Sequence, residues 1–299
     1  MSERRYVILE GRGVLRVEGP DARPFLQGMI SNDIGKLTAE QAIYAAFLTP
    51  QGKFLSDFFI TARDGTLLFD CEATRLGDLF KRLMTYRLRS RVELTDASAE
   101  YTPVALFGPG TADALELAER EGAARPLDGG VVYIDPRLVE LGGRALLPKA
   151  AGLGAVEAAG FVAGSPEDYE HLRLSCGVPD GSRDMAVEKA ILLENGLEEL
   201  NGIDFEKGCF IGQELTARTK HRALIRKRLF RVEIDGPLPP PGTPIRLGER
   251  KAGEMRSGLD GLGLALLRLD QVAKAKDEDS DLVAGGARLR AIKPDWARF

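Results

Sequence analysis

Cysteine and histidine are scarce in this chain, and the scarcity narrows its chemistry. Three cysteines (Cys71, Cys176, Cys209) and two histidines (His171, His221) occur in 299 residues. No two cysteines stand at C-x-x-C spacing, so no self-contained zinc or cluster site is written locally. An odd, sparse set of thiols argues against a secreted disulfide scaffold. Two histidines are too few for a His-rich metal centre, and they make a Ser/His/Asp triad hard to build. Long apolar runs are missing too: none approaches the ~18–20 residues of a spanning helix, and no membrane partner is expected. The first residues, MSERRYVILEGRG, show neither an apolar signal region nor a small-residue cleavage site. The expectation is a cytoplasmic protein if bacterial, or a mitochondrial matrix protein if it is the mature form of a eukaryotic one. Nor is there an excess of charge: a net −4 gives no general prior for nucleic acid or lipid.

What is present is enough sequence for roughly two or three domains with ordinary cores. Residues 5–18 read as two short strands around Gly11 and Gly13, and residues 20–30 as a helix ending in Ser31-Asn32-Asp33. Strands are expected at 44–48, 54–61 and 66–70, punctuated by Pro50-Gln51-Gly52 and Asp64-Gly65. A helix over 73–87 follows, with Leu76, Leu79, Phe80, Leu83 and Met84 on one face. From about 98 to 164 the texture becomes rich in Ala and Gly, with a strand at 104–107, helices at 111–121 and 149–159, and two strands around Asp135-Pro136. Its FGPG turn lacks the third glycine of a dinucleotide fingerprint and reads as a tight turn. Ser165-Pro166-Glu167-Asp168 is a helix start, with an N-cap, Pro at N1 and an acid at N3. Residues 185–200 read as helical, broken by Gly196. Beyond residue 224, short strands between Gly/Pro corners suggest a small β-barrel or sandwich, with KDEDSD (276–281) as a solvated loop. The class is α+β.

The chemistry concentrates in KGCFIGQE, residues 207–214. Gly208 and Gly212 permit a sharp turn, and a strand–turn–helix is expected with Cys209 at or just before the helix N-terminus. Free backbone N–H groups there, and Lys207 nearby, would favour thiolate. From these residues alone Cys209 is a nucleophile, a metal ligand or a packed side chain. From Lys207 to Arg231 there are eight basic residues and one acid, Glu214. Lys220, Arg222, Arg226, Lys227 and Arg228 are candidates for a polyanion site, either a folate glutamate tail or RNA phosphate; otherwise they form a solvated face. One thiol cannot hold a cluster that takes four ligands, so the rest would come from a partner.

The octapeptide resembles the K-G-C-[FY]-x-G-Q-E hallmark of the YgfZ family of folate-binding iron–sulfur cluster proteins, relatives of the glycine-cleavage T-protein (an aminomethyltransferase). FLQGMISNDI (25–34), FLTPQGKFLSDFFI (47–60), RLSCGVPDG (173–181) and GEMRSGLDGLGLALLR (253–268) resemble further family segments in the family's order. The resemblance implies a T-protein-like fold of interleaved α+β domains around a central funnel plus a C-terminal β-barrel. The domains would be 1–97 with 165–224, then 98–164, then 225–299. It implies tetrahydrofolate or a derivative in the funnel, with Glu194, Asn32 and Arg218 as folate contacts; Leu192 stands where the family usually has proline. It implies Cys209 as the functional thiol, within the motif of Lys207, Gly208, Gly212, Gln213 and Glu214, and as a metal ligand shared with a partner. An iron–sulfur cluster would be held only transiently. The implied partner is an A-type iron–sulfur scaffold or carrier, with weak RNA contact at most, and the chain is expected to be a monomer.

The leading expectation is therefore cluster assembly or repair in support of cluster-dependent enzymes, tRNA-modifying ones included. The alternatives are a folate-dependent aminomethyltransferase, which would need a base near the reacting folate nitrogens, and an RNA-binding module. Asp33 and Asp57 are present, but their surroundings are those of the YgfZ group and not those of a T-protein's catalytic aspartate.

Overall fold

The computed structural model describes residues 3–221 and 225–299. In chain order the elements are β1 (Arg5–Ile8), β2 (Arg12–Glu18), α1 (Ala22–Gln27), β3 (Ile43–Leu48), β4 (Phe54–Arg63), β5 (Thr66–Glu72), α2 (Ala73–Arg87), β6 (Glu93–Asp96), β7 (Tyr101–Phe107), α3 (Thr111–Ala114), β8 (Ala124–Leu127), β9 (Gly130–Ile134), β10 (Gly143–Pro148), α4 (Gly154–Ala158) and β11 (Val162–Ala163). Then come α5 (Pro166–Cys176), α6 (Gly181–Asp184), a 3-10 turn at Leu192–Asn195, α7 (Gln213–His221), β12 (Lys227–Asp235), β13 (Pro244–Leu247), β14 (Arg250–Leu259), β15 (Leu262–Arg268), α8 (Leu269–Asp277), β16 (Leu282–Ala284) and β17 (Ala287–Ile292).

Among the described residues, the strands form three sheets. The first runs β3-β4-β5-β2-β6, the second β11-β1-β7-β10-β9-β8, and the third is a closed barrel, β12-β15-β14-β13-β16-β17. β1 thus lies in the second sheet, beside β7 and β11, and not with residues 12–96. This α+β arrangement with a closed C-terminal barrel is the expected class.

Strand alternation explains how the first two sheets stack. On β3 and β4, Ile43, Ala45, Phe47, Phe58 and Ile60 point toward α1 and α2, where Leu76, Leu79 and Leu83 meet them. Their neighbours Tyr44, Ala46, Leu48 and Phe59 point the other way, onto Val131, Tyr133 and Leu146 of the second sheet. Both faces are covered, so these strands read as near-continuous apolar runs.

The inter-sheet layer also holds charge. Asp70 accepts from Arg12 at 2.6 Å and from Arg144 at 2.7 Å, and Arg137 pairs with Asp135 at 2.8 Å. The Arg144 guanidinium lies 4.0 Å from the Phe59 ring centroid. Burial alone would raise the Asp70 carboxyl, but the two guanidiniums hold it below the usual carboxylate range. A second hub, Arg173 on α5, joins Asp184 at 2.8 Å and Ser257 of the barrel at 2.8 Å.

Several sequence-based expectations are corrected. The helix expected over 111–121 closes after Thr111–Ala114, because Glu116 adopts a positive φ of 52°. The helix expected over 149–159 shortens to Gly154–Ala158, starting just after Gly152, whose φ is +68°. Residues 185–200 are not a broken helix: Glu188 donates to Phe54 O and Phe54 to Ala190 O, so strand-like pairing onto β4 overrides the local pattern. The helix over 73–87 and the capping box at Ser165 form as expected. Among the described residues, no helix is long and apolar enough to cross a membrane.

Candidate functional site

Cys209 is exposed, Cys176 is half-buried and Cys71 is buried. Burial pushes the Cys71 thiol up to about 12 and the Cys176 thiol up to about 11. These two stay protonated near neutrality. No group of three or more His, Cys, Asp or Glu suited to a metal ion occurs among the described residues.

The Cys209 loop is not a strand: residues 206–212 are irregular, and α7 begins only at Gln213. The expected placement at the helix N-terminus is therefore corrected by about one turn. The Gln213 side chain accepts from Phe210 N at 3.3 Å, closing the turn locally. Gly208 and Gly212 have φ of +94° and +84°, a region other L-residues enter at a cost. At Gly212 there is also no space: a Cβ would sit 2.6 Å from Thr49 O and 3.0 Å from Gly52 Cα. The KGC turn is thus laid directly on the Thr49–Gly52 hairpin.

Its other side rests on the end of α1. Lys207 Nζ donates to Gln27 O at 2.6 Å and to Ile30 O at 2.7 Å, and lies 5.1 Å from the Phe210 ring centroid. Gln27 Nε2 donates back to Lys207 O at 3.0 Å, and Ile211 N to Gly28 O at 3.1 Å. The Lys207 ammonium is therefore turned to backbone carbonyls, where the sequence had suggested a cation serving the thiol. Asn32 is 5% exposed, and both its N–H donors are engaged, with Tyr44 O and Asn201 O at 2.8 Å each. It braces this cradle and keeps no spare donor for a ligand.

Glu194 occupies the 3-10 turn Leu192–Asn195, which packs against α7 and β12. Burial raises its carboxyl, while Lys227, Lys53, Arg228 and Arg256 act in the opposite direction. Lys53 and Arg256 had not been singled out in the sequence, although both lie in family-like segments: the hairpin that ends in a basic residue, and GEMRSG.

The basic stretch divides. Lys220 pairs with Glu198 at 2.5 Å and lies 4.2 Å from the Phe205 ring centroid. Arg228 donates to Leu193 O at 2.6 Å and to Glu199 at 3.0 Å. Arg218, Arg226, Lys227 and Glu214 are exposed, and Arg222 lies outside the described residues. Of the expected polyanion contacts, two are therefore tied down by neighbours.

Other polar groups lie deeper. Asp57 is 3% exposed and accepts from Tyr44 Oη at 2.7 Å; burial raises its carboxyl despite Arg12 and Arg137. A cavity of about 300 Å³ lies elsewhere, lined by Cys176, Arg231, Lys293 and Trp296 among others, and neither Cys209 nor Glu194 faces it.

Comparison with known proteins bears on this geometry. Residues 10–124 match the GCVT N-terminal domain, and residues 226–299 match the CAF17 C-terminal β-barrel domain. The mouse protein "Iron-sulfur cluster assembly factor IBA57, mitochondrial" is 36% identical over 314 residues, covering 96% of this chain and 84% of the relative. The human protein of the same name is 37% identical over 309 residues, covering 96% and 84%. The chain belongs to the CAF17/IBA57 family. The fold is shared more widely: the glycine cleavage aminomethyltransferase T from Bartonella henselae superposes with a TM-score of 0.77 at 16% identity, covering 98% of this chain and 85% of the other. Within the CAF17/IBA57 frame, the barrel match spans all of β12–β17, and the GCVT match contains both the 25–34 segment and the hairpin that cradle Cys209.

Proposed function

We propose that this chain is a YgfZ-type folate-binding factor of iron–sulfur cluster assembly or repair, in which Cys209 is a ligand shared with a partner's cluster or an exchange thiol. The observation that carries the reading is the contrast among the three thiols. Cys71 and Cys176 are raised by burial, whereas Cys209 stands exposed on a turn pinned on two sides. A thiol offered without ligating neighbours suits a cluster whose remaining ligands arrive with another molecule. The CAF17/IBA57 relatives carry the cluster-assembly name, which supports the same reading.

The cluster is cargo and the partner an A-type carrier. The enzymes served are cluster-dependent ones, tRNA-modifying ones among them. Tetrahydrofolate or a derivative fits the surroundings of Glu194. A half-buried carboxylate accepts from the N–H edge of a pterin, and Lys53, Lys227 and Arg256 suit an anionic tail. When bound, the folate supplies one-carbon chemistry or occupancy of the site. Glu194 orients it, and Arg218, exposed on α7, is the remaining candidate contact. Among the described residues, exposed Arg218, Arg226 and Lys227 are the candidates for any RNA contact. The compartment is the mitochondrial matrix in a eukaryote and the cytoplasm in a bacterium.

Two measurements test this. Titration with tetrahydrofolate, followed by intrinsic fluorescence, saturates for the wild type and weakens at least tenfold for Glu194→Gln; equal binding removes Glu194 from the folate site. Cys209→Ser, expressed in a strain lacking its own homologue, fails to restore tRNA methylthiolation; full rescue by the serine variant sinks the role of the thiol. The aminomethyl-transfer reading draws on enclosed Asp57 and the T-protein fold, and predicts turnover of an aminomethyl donor with tetrahydrofolate.

A further inference from the structure

The lysine that opens the KGC motif is half-buried, and its ammonium is held by backbone carbonyls on the far side of the turn. The ammonium reaches across to α1, where a helix end leaves carbonyls without intrahelical partners. It donates to one of them, Gln27 O, at 2.6 Å, and to Ile30 O, three residues past the helix, at 2.7 Å. Gln27 returns a bond to the Lys207 carbonyl and also donates to Asp33 Oδ1 at 2.9 Å, while its own Oε1 accepts from Ile34 N at 3.0 Å. One residue beyond Phe210, the Ile211 amide is bonded to Gly28 O. Cys209 therefore hangs between two anchor points on the same helix end, Lys207 before it and Ile211 after it. A Cβ on Gly208, between the first anchor and the thiol, would meet nothing within 4 Å.

We propose that Lys207 and Gln27 form a reciprocal clamp that positions Cys209, making Lys207 a positioning residue of the site. The proposal rests on the reading of Cys209 as the working thiol, but the geometry it claims can be measured without that reading. Replacing Lys207 by methionine keeps an unbranched side chain and removes every donor, leaving the Gln27 and Ile30 carbonyls without this partner. Aspartates also face the group: Asp33 and Asp204 favour its charge, while burial lowers the ammonium to about 8. A neutral amine still carries two N–H donors, so the clamp is a matter of donors and survives loss of the charge.

The test follows amide hydrogen exchange at Ile211 together with the electron paramagnetic resonance line shape of a nitroxide on Cys209, in a Cys176→Ala background. In Lys207→Met, exchange at Ile211 is expected to rise roughly tenfold or more, the scale set by unpaired buried carbonyls. The nitroxide sharpens to a mobile spectrum, while the far-ultraviolet circular dichroism spectrum of the folded chain is unchanged. Lys207→Arg, which keeps donors, restores protection and the immobile line shape. Unchanged exchange and line shape in Lys207→Met overturn the proposal, as does an arginine variant as loose as the methionine one. Failure of Cys209→Ser to affect cluster enzymes would instead overturn the function of the thiol and leave the clamp standing.

Discussion

Alanine at the two motif glycines separates two physical costs that the sequence cannot tell apart. Gly208 and Gly212 both have positive φ, +94° and +84°. Placing an L-residue in left-handed backbone costs about 1–2 kcal/mol. For Gly208→Ala that is the whole cost, since a Cβ there meets nothing within 4 Å. For Gly212→Ala the Cβ falls 2.6 Å from Thr49 O and 3.0 Å from both Gly52 Cα and Leu48 Cβ. Two of these three are backbone atoms, so the hairpin must move, adding about 1–3 kcal/mol of overpacking. In a domain of this size each kcal/mol lowers Tm by roughly 2–4 °C. Calorimetry of the two variants should therefore show a small shift for Gly208→Ala and about twice that or more for Gly212→Ala. Equal shifts, or a larger one at Gly208, would refute the claim that the KGC turn is seated on the hairpin.

Three further outcomes follow from buried charge. Asp70→Asn leaves Arg12 and Arg144 buried without their carboxylate and should destabilise by about 3–5 kcal/mol in urea titration; because the carboxyl is held low in the fold, the stability Asp70 supplies is present above its unfolded value and lost as pH falls through the folded one. Lys207 is lowered from 10.5 to about 8 by burial, so the unfolded chain binds more protons between those values and the wild type should gain stability relative to Lys207→Met as pH rises through that window, by about 1–2 kcal/mol after discounting for its exposure. Glu194 is raised by burial, so Glu194→Gln should gain stability relative to the wild type as pH rises from 4 to 7; a loss would show that the carboxylate is held by a structural partner.

How far the sequence reached depends on which force decided each element. The 73–87 helix and the 165–168 cap were legible because periodicity and side-chain capping are local. The barrel strands were legible from Gly/Pro corners and alternation, but α8 was not read, and the 276–281 run taken as loop overlaps only its last two residues. Residues 185–200 were misread because Glu188 and Ala190 exchange hydrogen bonds with Phe54, far away in the chain, and a 3-10 turn follows at Leu192–Asn195. At the site, the motif glycines and the exposed thiol were visible as residue types. The direction of Lys207, the consumption of Asn32 by backbone carbonyls, and the capture of Lys220 and Arg228 by Glu198 and Glu199 were not, because each depends on a partner supplied by tertiary structure. The same holds for Arg12–Asp70–Arg144, whose members are spread from β2 to β10 with no spacing to announce them.

The central claim is that exposed Cys209 completes a cluster that another protein brings. The most direct measurement mixes the purified chain with a cluster-loaded A-type carrier and records visible circular dichroism alongside size-exclusion elution. A new cluster spectrum co-eluting with a mixed complex is expected for the wild type, and neither feature for Cys209→Ser. A serine variant that forms the same complex with the same spectrum would contradict that claim.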